Sequence, residues 1–140
     1  MKAATAVTMV LLVAGAGAAA AQPVIPAAAS YRTVDAAAAE RQYTAGLASL
    51  NEGVVVSALA QAMRLRIAHP GEDLGRLHDA VGRLVHEGRT PAIRAKASVA
   101  AVVFDSPELF AQEETAEFAT ADEFFGTVAR QLAESMLSAR

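Results

Sequence analysis

The chain holds three histidines and no cysteine, so it offers little for acid–base or metal chemistry. His78 and His86 stand eight apart on one expected helix, roughly 80° around and two turns along. Neither has a second His or an acid four residues away, the spacing a helical zinc site uses. Both read as surface histidines. His69 precedes Pro70 and reads as a helix C-terminal residue interacting with the helix dipole. Asp79 follows His78 directly, so their side chains diverge on a helix. The chain has neither a nucleophile elbow nor a glycine-rich phosphate loop. No catalytic residue, metal ligand or cofactor is assigned.

Charge is the more informative pattern. Glu108, Glu113, Glu114, Glu117, Asp122 and Glu123 run without an intervening base. Paired carboxylates do acid–base work only from buried, opposed positions, so this run reads as a solvated face. A calcium loop is not expected, because its alternating acids and central glycine are missing. Upstream, between Arg64 and Lys96, seven bases stand among four acids. Either the basic and acidic stretches meet inside the fold, or Arg76 and Arg83, seven apart on one helix face, receive an acidic protein partner.

Composition narrows the class of protein. With no cysteine there is neither a disulfide framework nor a thiolate metal site, and stability rests on packing. The formal charge is −3, and it falls to −4 without Lys2, which argues against nucleic acid or an anionic membrane as the main partner. Aromatic residues make up 5% and Trp is absent, leaving little material for stacking sugars or bases. Abundant alanine favours helix and close helix–helix approach.

The first residues carry an address. Lys2 supplies a positive charge, Ala3 to Ala20 has none, and Val7 to Val13 is its most apolar stretch. Ala19-Ala20-Ala21 gives the small-residue pattern that a signal peptidase accepts. The expected organisation is a signal peptide over 1–21, a flexible Pro/Ala leader over 22–32 and one helical domain over 33–140. The protein is then exported, to the periplasm or outside the cell. The alternative is an uncleaved N-terminal helix, since the apolar stretch approaches the roughly twenty residues that span a bilayer. Only in that case is membrane a partner. Lipidation at cysteine is excluded.

The elements that position these residues read as helices. The first covers about 34–50 on a stripe of Ala36, Ala39, Tyr43, Leu47 and Leu50, with Gly53 ending it in the left-handed cap conformation. The second covers about 54–68 and stops at Pro70. The third, about 73–87, buries Leu74, Leu77, Val81, Leu84 and Val85 and is capped by Gly88. Thr90 and Pro91 open the fourth, about 91–104, with an N-cap hydroxyl and a proline at the first position. Its apolar residues on most sides predict a buried central helix. Ser106 and Pro107 repeat that cap chemistry before a short helix to about Ala111. Thr120 and Glu123 form a capping box for the last helix, whose stripe is Phe124 or Phe125, Val128, Leu132 and Met136.

Two segments match in layout. Gly53 to Pro70 and Thr90 to Pro107 each start at a cap, carry an Ala-rich helix and end at proline, and each follows an amphipathic helix closing in Glu-Gly. Paired helices at such a period build α-solenoids. Thr90-Pro91-Ala92-Ile93-Arg94-Ala95-Lys96-Ala97 resembles the second helix of a HEAT repeat, with its Thr-Pro corner, aliphatic-Arg pair and alanines. The likeness spans roughly 34–107, although Gly53-Val54-Val55-Val56-Ser57 has neither the proline nor the arginine.

The resemblance implies an all-α fold of antiparallel helix pairs stacked as a short, HEAT-like, right-handed α-solenoid; an irregular helical bundle is the alternative. It also implies a non-enzymatic binding or scaffolding module with a protein partner. Two repeats leave an exposed end, which the last helix or self-association into a homo-oligomer would cover. A periplasmic enzyme of unrecognised type is the competing class; a deep pocket joining His78 or Asp79 to a serine would favour it, and a smooth concave face would favour binding.

Overall fold

The computed structural model describes residues 25–140, with 113–115 described by their backbone alone. The expected signal over 1–21 and the first residues of the leader lie outside the described residues. The described chain is all-α. It runs from a 3-10 helix (Ala28–Thr33) through α1 (Ala36–Leu47), α2 (Glu52–Ala68), α3 (Gly75–Glu87) and α4 (Pro91–Asp105) to a second 3-10 helix (Pro107–Thr115) and α5 (Ala121–Ser138).

Short turns force the consecutive helices α1 and α2, and likewise α3 and α4, into antiparallel pairs. Across the pairs, α1 packs on α3 and α2 on α4. Two polar contacts join the turns of the two pairs. Arg89 Nη1 donates to the Leu50 carbonyl at 2.9 Å, and the Thr90 hydroxyl donates to Glu52 Oε1 at 3.3 Å.

The centre of the core is α2 rather than α4. Leu59, Ala60, Ala62, Met63, Arg64 and Leu65 are fully buried. This helix meets α1, α4, α5 and both 3-10 helices. Apolar content alone favoured α4, yet α4 keeps a solvent-facing side at Ala92, Ala95 and Ser98. What distinguishes α2 is that elements distant in sequence close over it on every side. Each large aliphatic side chain sealed there contributes about 1.5–3 kcal/mol.

The expected flexible leader is corrected from Ile25 onward. Ile25, Ala27, Ala28 and Tyr31 are buried, and Ile25 exchanges two backbone hydrogen bonds with Phe118, at 2.6 and 3.0 Å. The 3-10 helix packs on α2 and on the second 3-10 helix. Side chains three apart eclipse on a 3-10 helix, so Ala28 and Tyr31 share its inward face. The prolines suggested extended chain; the apolar residues between and beyond them decide where it lies.

Helix ends also differ from expectation. No glycine among the described residues has positive φ. α1 stops at Leu47, and Gly53 lies inside the first turn of α2, which Asn51 caps through Val54 N–H at 3.3 Å. Leu50 therefore sits in the turn, 83% exposed, rather than on a buried stripe. Gly88 does follow α3, but at φ −54°, ψ 136°. It is needed for closeness: a Cβ there would stand 2.7 Å from the Leu84 carbonyl oxygen and 2.9 Å from both Ile93 and Arg94 side chains.

The α4 start follows the sequence, with the Thr90 hydroxyl accepting from Ile93 N–H at 3.2 Å and Pro91 at the first position. Ser106 instead ends α4, and its carbonyl accepts from Leu109 N–H at 3.2 Å, starting a 3-10 helix behind Pro107 that runs past Ala111. Thr120 caps α5 through Glu123 N–H at 3.1 Å, while Glu123 Oε2 accepts from Ala119 N–H at 3.0 Å, one residue earlier than the usual box. Phe124, Phe125, Val128 and Gln131 are buried on α5, but Met136 is 65% exposed: the stripe loses its cover beyond Leu132.

Candidate functional site

The seven bases between Arg64 and Lys96 meet different fates, and these define the candidate site. Arg64 is fully buried. Its Nη2 donates to the Ala116 carbonyl at 2.5 Å, and its guanidinium lies over Phe118 and Phe124. Arg66 donates to the carbonyls of Phe104, Pro70 and Glu72 at 3.0–3.2 Å, tying the end of α4 to the loop after α2. Arg89 holds Leu50, and Arg94 Nη1 donates to the Gly88 carbonyl at 2.6 Å. Lys96 pairs with Asp122 at 3.2 Å and faces the Phe125 ring. The basic and acidic stretches thus touch through a surface pair, Lys96 with the largely exposed Asp122.

Arg76 and Arg83 are the remainder. Both are exposed on α3, and neither has an ion pair or side-chain hydrogen bond among the described residues. Seven residues separate them, about 10 Å along one face of the helix. The amphipathic pattern of α3 turns Leu77, Ala80 and Val81 inward and leaves the arginines outside.

Each arginine borders a shallow surface hollow. Arg76 lines one of about 460 Å³ with Arg41, Glu40 and Asp73. Two of its carboxylates serve the N-terminus of α3: Asp73 accepts from Gly75 N–H at 3.0 Å and Glu40, from α1, accepts from Leu77 N–H at 3.2 Å. Arg83 lines a second, wide-open hollow of about 500 Å³ with His78, Asp79, Gly82, His86 and Glu87.

His78 and His86 border one hollow with Asp79 and Glu87, while His69 lies apart, just past the end of α2. His78 pairs with Asp105, not Asp79, at 3.0 Å, and its ring stacks on Phe104 with centroids 5.5 Å apart. No serine lines the hollow beside it. His69 Nε2 lies 2.7 Å from the Tyr31 carbonyl, which can only accept, so this nitrogen carries the proton. That bond fastens the N-terminal 3-10 helix to the end of α2, a tertiary role beyond the helix-dipole one. Among the described residues, no three His, Asp or Glu side chains are placed to hold a metal ion.

Two phenols sit in the core. Burial pushes the Tyr31 hydroxyl up to about 12, against a smaller lowering by the Arg64 charge. Burial also raises Tyr43, with Tyr31 adding to the effect. Sequence spacing predicted Tyr43 inside. It did not reveal Tyr31, in the expected leader, or Arg64, whose charge marks it for the surface.

Among the described residues, no helix is long and apolar enough to cross a membrane. No protein-family model, curated protein or solved structure matches the chain.

Proposed function

We propose that this protein is an exported, HEAT-like binding or scaffolding module without catalytic activity, and that the α3 surface around Arg76 and Arg83 receives an acidic segment of a protein partner. One observation carries the reading. Five of the seven bases between Arg64 and Lys96 are engaged within the fold, while these two, on one helix face, have no ion pair or side-chain hydrogen bond among the described residues. Surface arginines in such a row suit carboxylates presented along an extended or helical segment.

The HEAT-like reading draws support from the pairing of α1 with α2 and α3 with α4, and from the packing of α1 on α3 and α2 on α4. The Thr90-Pro91 corner opens α4 as the second helix of such a repeat would open. Export rests on the N-terminal residue pattern alone.

The test pairs binding with stability. Partners are captured from envelope extract by the wild-type protein and by the Arg76→Glu, Arg83→Glu double variant. The double variant should keep its thermal midpoint and lose the captured partner. A midpoint well below wild type would assign the arginines to the fold; unchanged capture would remove them from the interface. Mass spectrometry of the purified protein should find Gln22 at its N-terminus, and residues 1–21 retained in the membrane fraction would replace export with tethering.

A further inference from the structure

We infer that the outer face of α5 pairs, antiparallel, with the same face of a second copy of this chain. This interface is separate from the α3 surface. Gly126, Ala129, Ala133, Met136 and Leu137 are all exposed, and they fall within an arc of about 100° on the helix. That arc is centred about 130° from the face that buries Phe124, Phe125, Val128 and Gln131. The helix thus carries a second apolar stripe that the core does not use. Met136 and Leu137 are 65% and 69% exposed. At the other end, a Cβ on Gly126 would meet nothing within 4 Å.

The order of sizes along the stripe selects the occupant. Small residues come first and bulky ones last, over about 16 Å. A parallel copy would set Leu137 against Leu137 and Ala129 against Ala129, bulky on bulky and small on small. An antiparallel copy sets Leu137 over Ala129 of the second copy, Met136 near the same alanine, and Ala133 against Ala133. The contact is self-complementary, as an isologous dimer requires.

Charge agrees with that register. Like flanks meet in an antiparallel helix pair. One flank of the stripe carries Arg130 and Glu134, both exposed and without an ion pair among the described residues. Arg130 precedes Glu134, the weaker order for a pair within one helix. Antiparallel docking brings Arg130 of each copy beside Glu134 of the other, and the parallel arrangement does not.

Sedimentation velocity of the full chain over a wide concentration range tests the inference, with thermal midpoints confirming that each variant is folded. A reversible dimer is expected. Met136→Glu with Leu137→Glu should raise its Kd about tenfold or more. Arg130→Glu and Glu134→Arg should each weaken it, and the two together should restore it. Because the chain has no cysteine, Ala133→Cys should oxidise readily to a disulfide-linked dimer. Ala129→Cys should not, since its mate would lie about 12 Å along the helix, beyond disulfide reach. A chain that stays monomeric, a dimer indifferent to charge at 136 and 137, a double swap that stays as weak as the singles, or equal cross-linking from 129 and 133 would each overturn the pairing. Association through residues 1–24 would show itself as such indifference.

Discussion

The guanidinium carbon of Arg64 lies 4.3 Å from the centroid of the Phe124 ring, with Phe118 at 5.0 Å and no solvent access to the arginine at all. A cation desolvated over aromatic faces gains about 2 kcal/mol, and the Ala116 carbonyl accepts a hydrogen bond from its Nη2. This contact joins α2 to the segment before α5 and to the first turn of α5.

Arg64→Ala should therefore lose about 3 kcal/mol or more of stability through the vacated volume and the missing charge–ring contacts. Arg64→Lys keeps the charge but not the planar fork, and should also lose more than about 1 kcal/mol. Urea unfolding at constant slope measures both. A midpoint for Arg64→Ala equal to wild type would remove the stack from the account of stability.

Two glycines should respond in opposite directions to alanine. Gly88→Ala drives a methyl into the Leu84 carbonyl and the α4 side chains at 2.7–2.9 Å, and overpacking of that kind costs about 1–3 kcal/mol. Gly82→Ala, inside α3 with nothing within 4 Å of the new methyl, should gain about 0.5–1 kcal/mol from helix propensity. Thermal melts of the two variants side by side make the comparison.

The N-terminal strap is structural. Beginning the chain at Asp35 instead of Ile25 removes Ile25, Ala28 and Tyr31 from the core, together with the Phe118 pairing and the His69 contact. The longer chain should be the more stable by about 3 kcal/mol or more, judged from buried large side chains alone. Equal melting temperatures for the two would show that the strap rests on the core without holding it.

High pH should unfold the protein through its two tyrosines. Both phenols have folded values raised above 10, Tyr31 to about 12. The unfolded chain releases those protons first, so their contribution is intact below about pH 10 and is lost as pH rises towards 12. Circular dichroism and tyrosinate absorbance should change together in that window. Replacing both Tyr31 and Tyr43 by Phe should weaken the dependence; ionisation well before loss of helix would show the phenols to be accessible.

Much of the helical scaffold was legible because the signals are local. The Thr90 and Pro91 start, the Thr120 to Glu123 box and the periodic face of Leu77 and Val81 each depend on residues within one or two turns. Errors arose where an end is set by a distant contact. The flexible leader was expected to run to Arg32, yet pairing with Phe118 fixes the chain from Ile25 onward. Nothing around Leu74 shows that Glu40, on another helix, caps α3.

The candidate site divides in the same way. That Arg76 and Arg83 share a helix face follows from their spacing alone, because helical geometry fixes it. That neither has an ion pair or side-chain hydrogen bond among the described residues, while Arg64, Arg66, Arg89, Arg94 and Lys96 do, is decided only by the tertiary structure.

By itself, then, the sequence determined an all-α chain, most helix positions and which side chains share a face, since backbone hydrogen bonding and side-chain period act over a few residues. Tertiary structure alone decided that α2 is the centre, that Ile25 and Tyr31 belong to the core, and that Arg64 is buried between rings while Met136 is left outside. The physical reason is that burial belongs to the space between elements. A charge enters the core only when a carbonyl and aromatic faces from distant segments converge on it, and an apolar residue stays exposed when no element reaches that far along its helix.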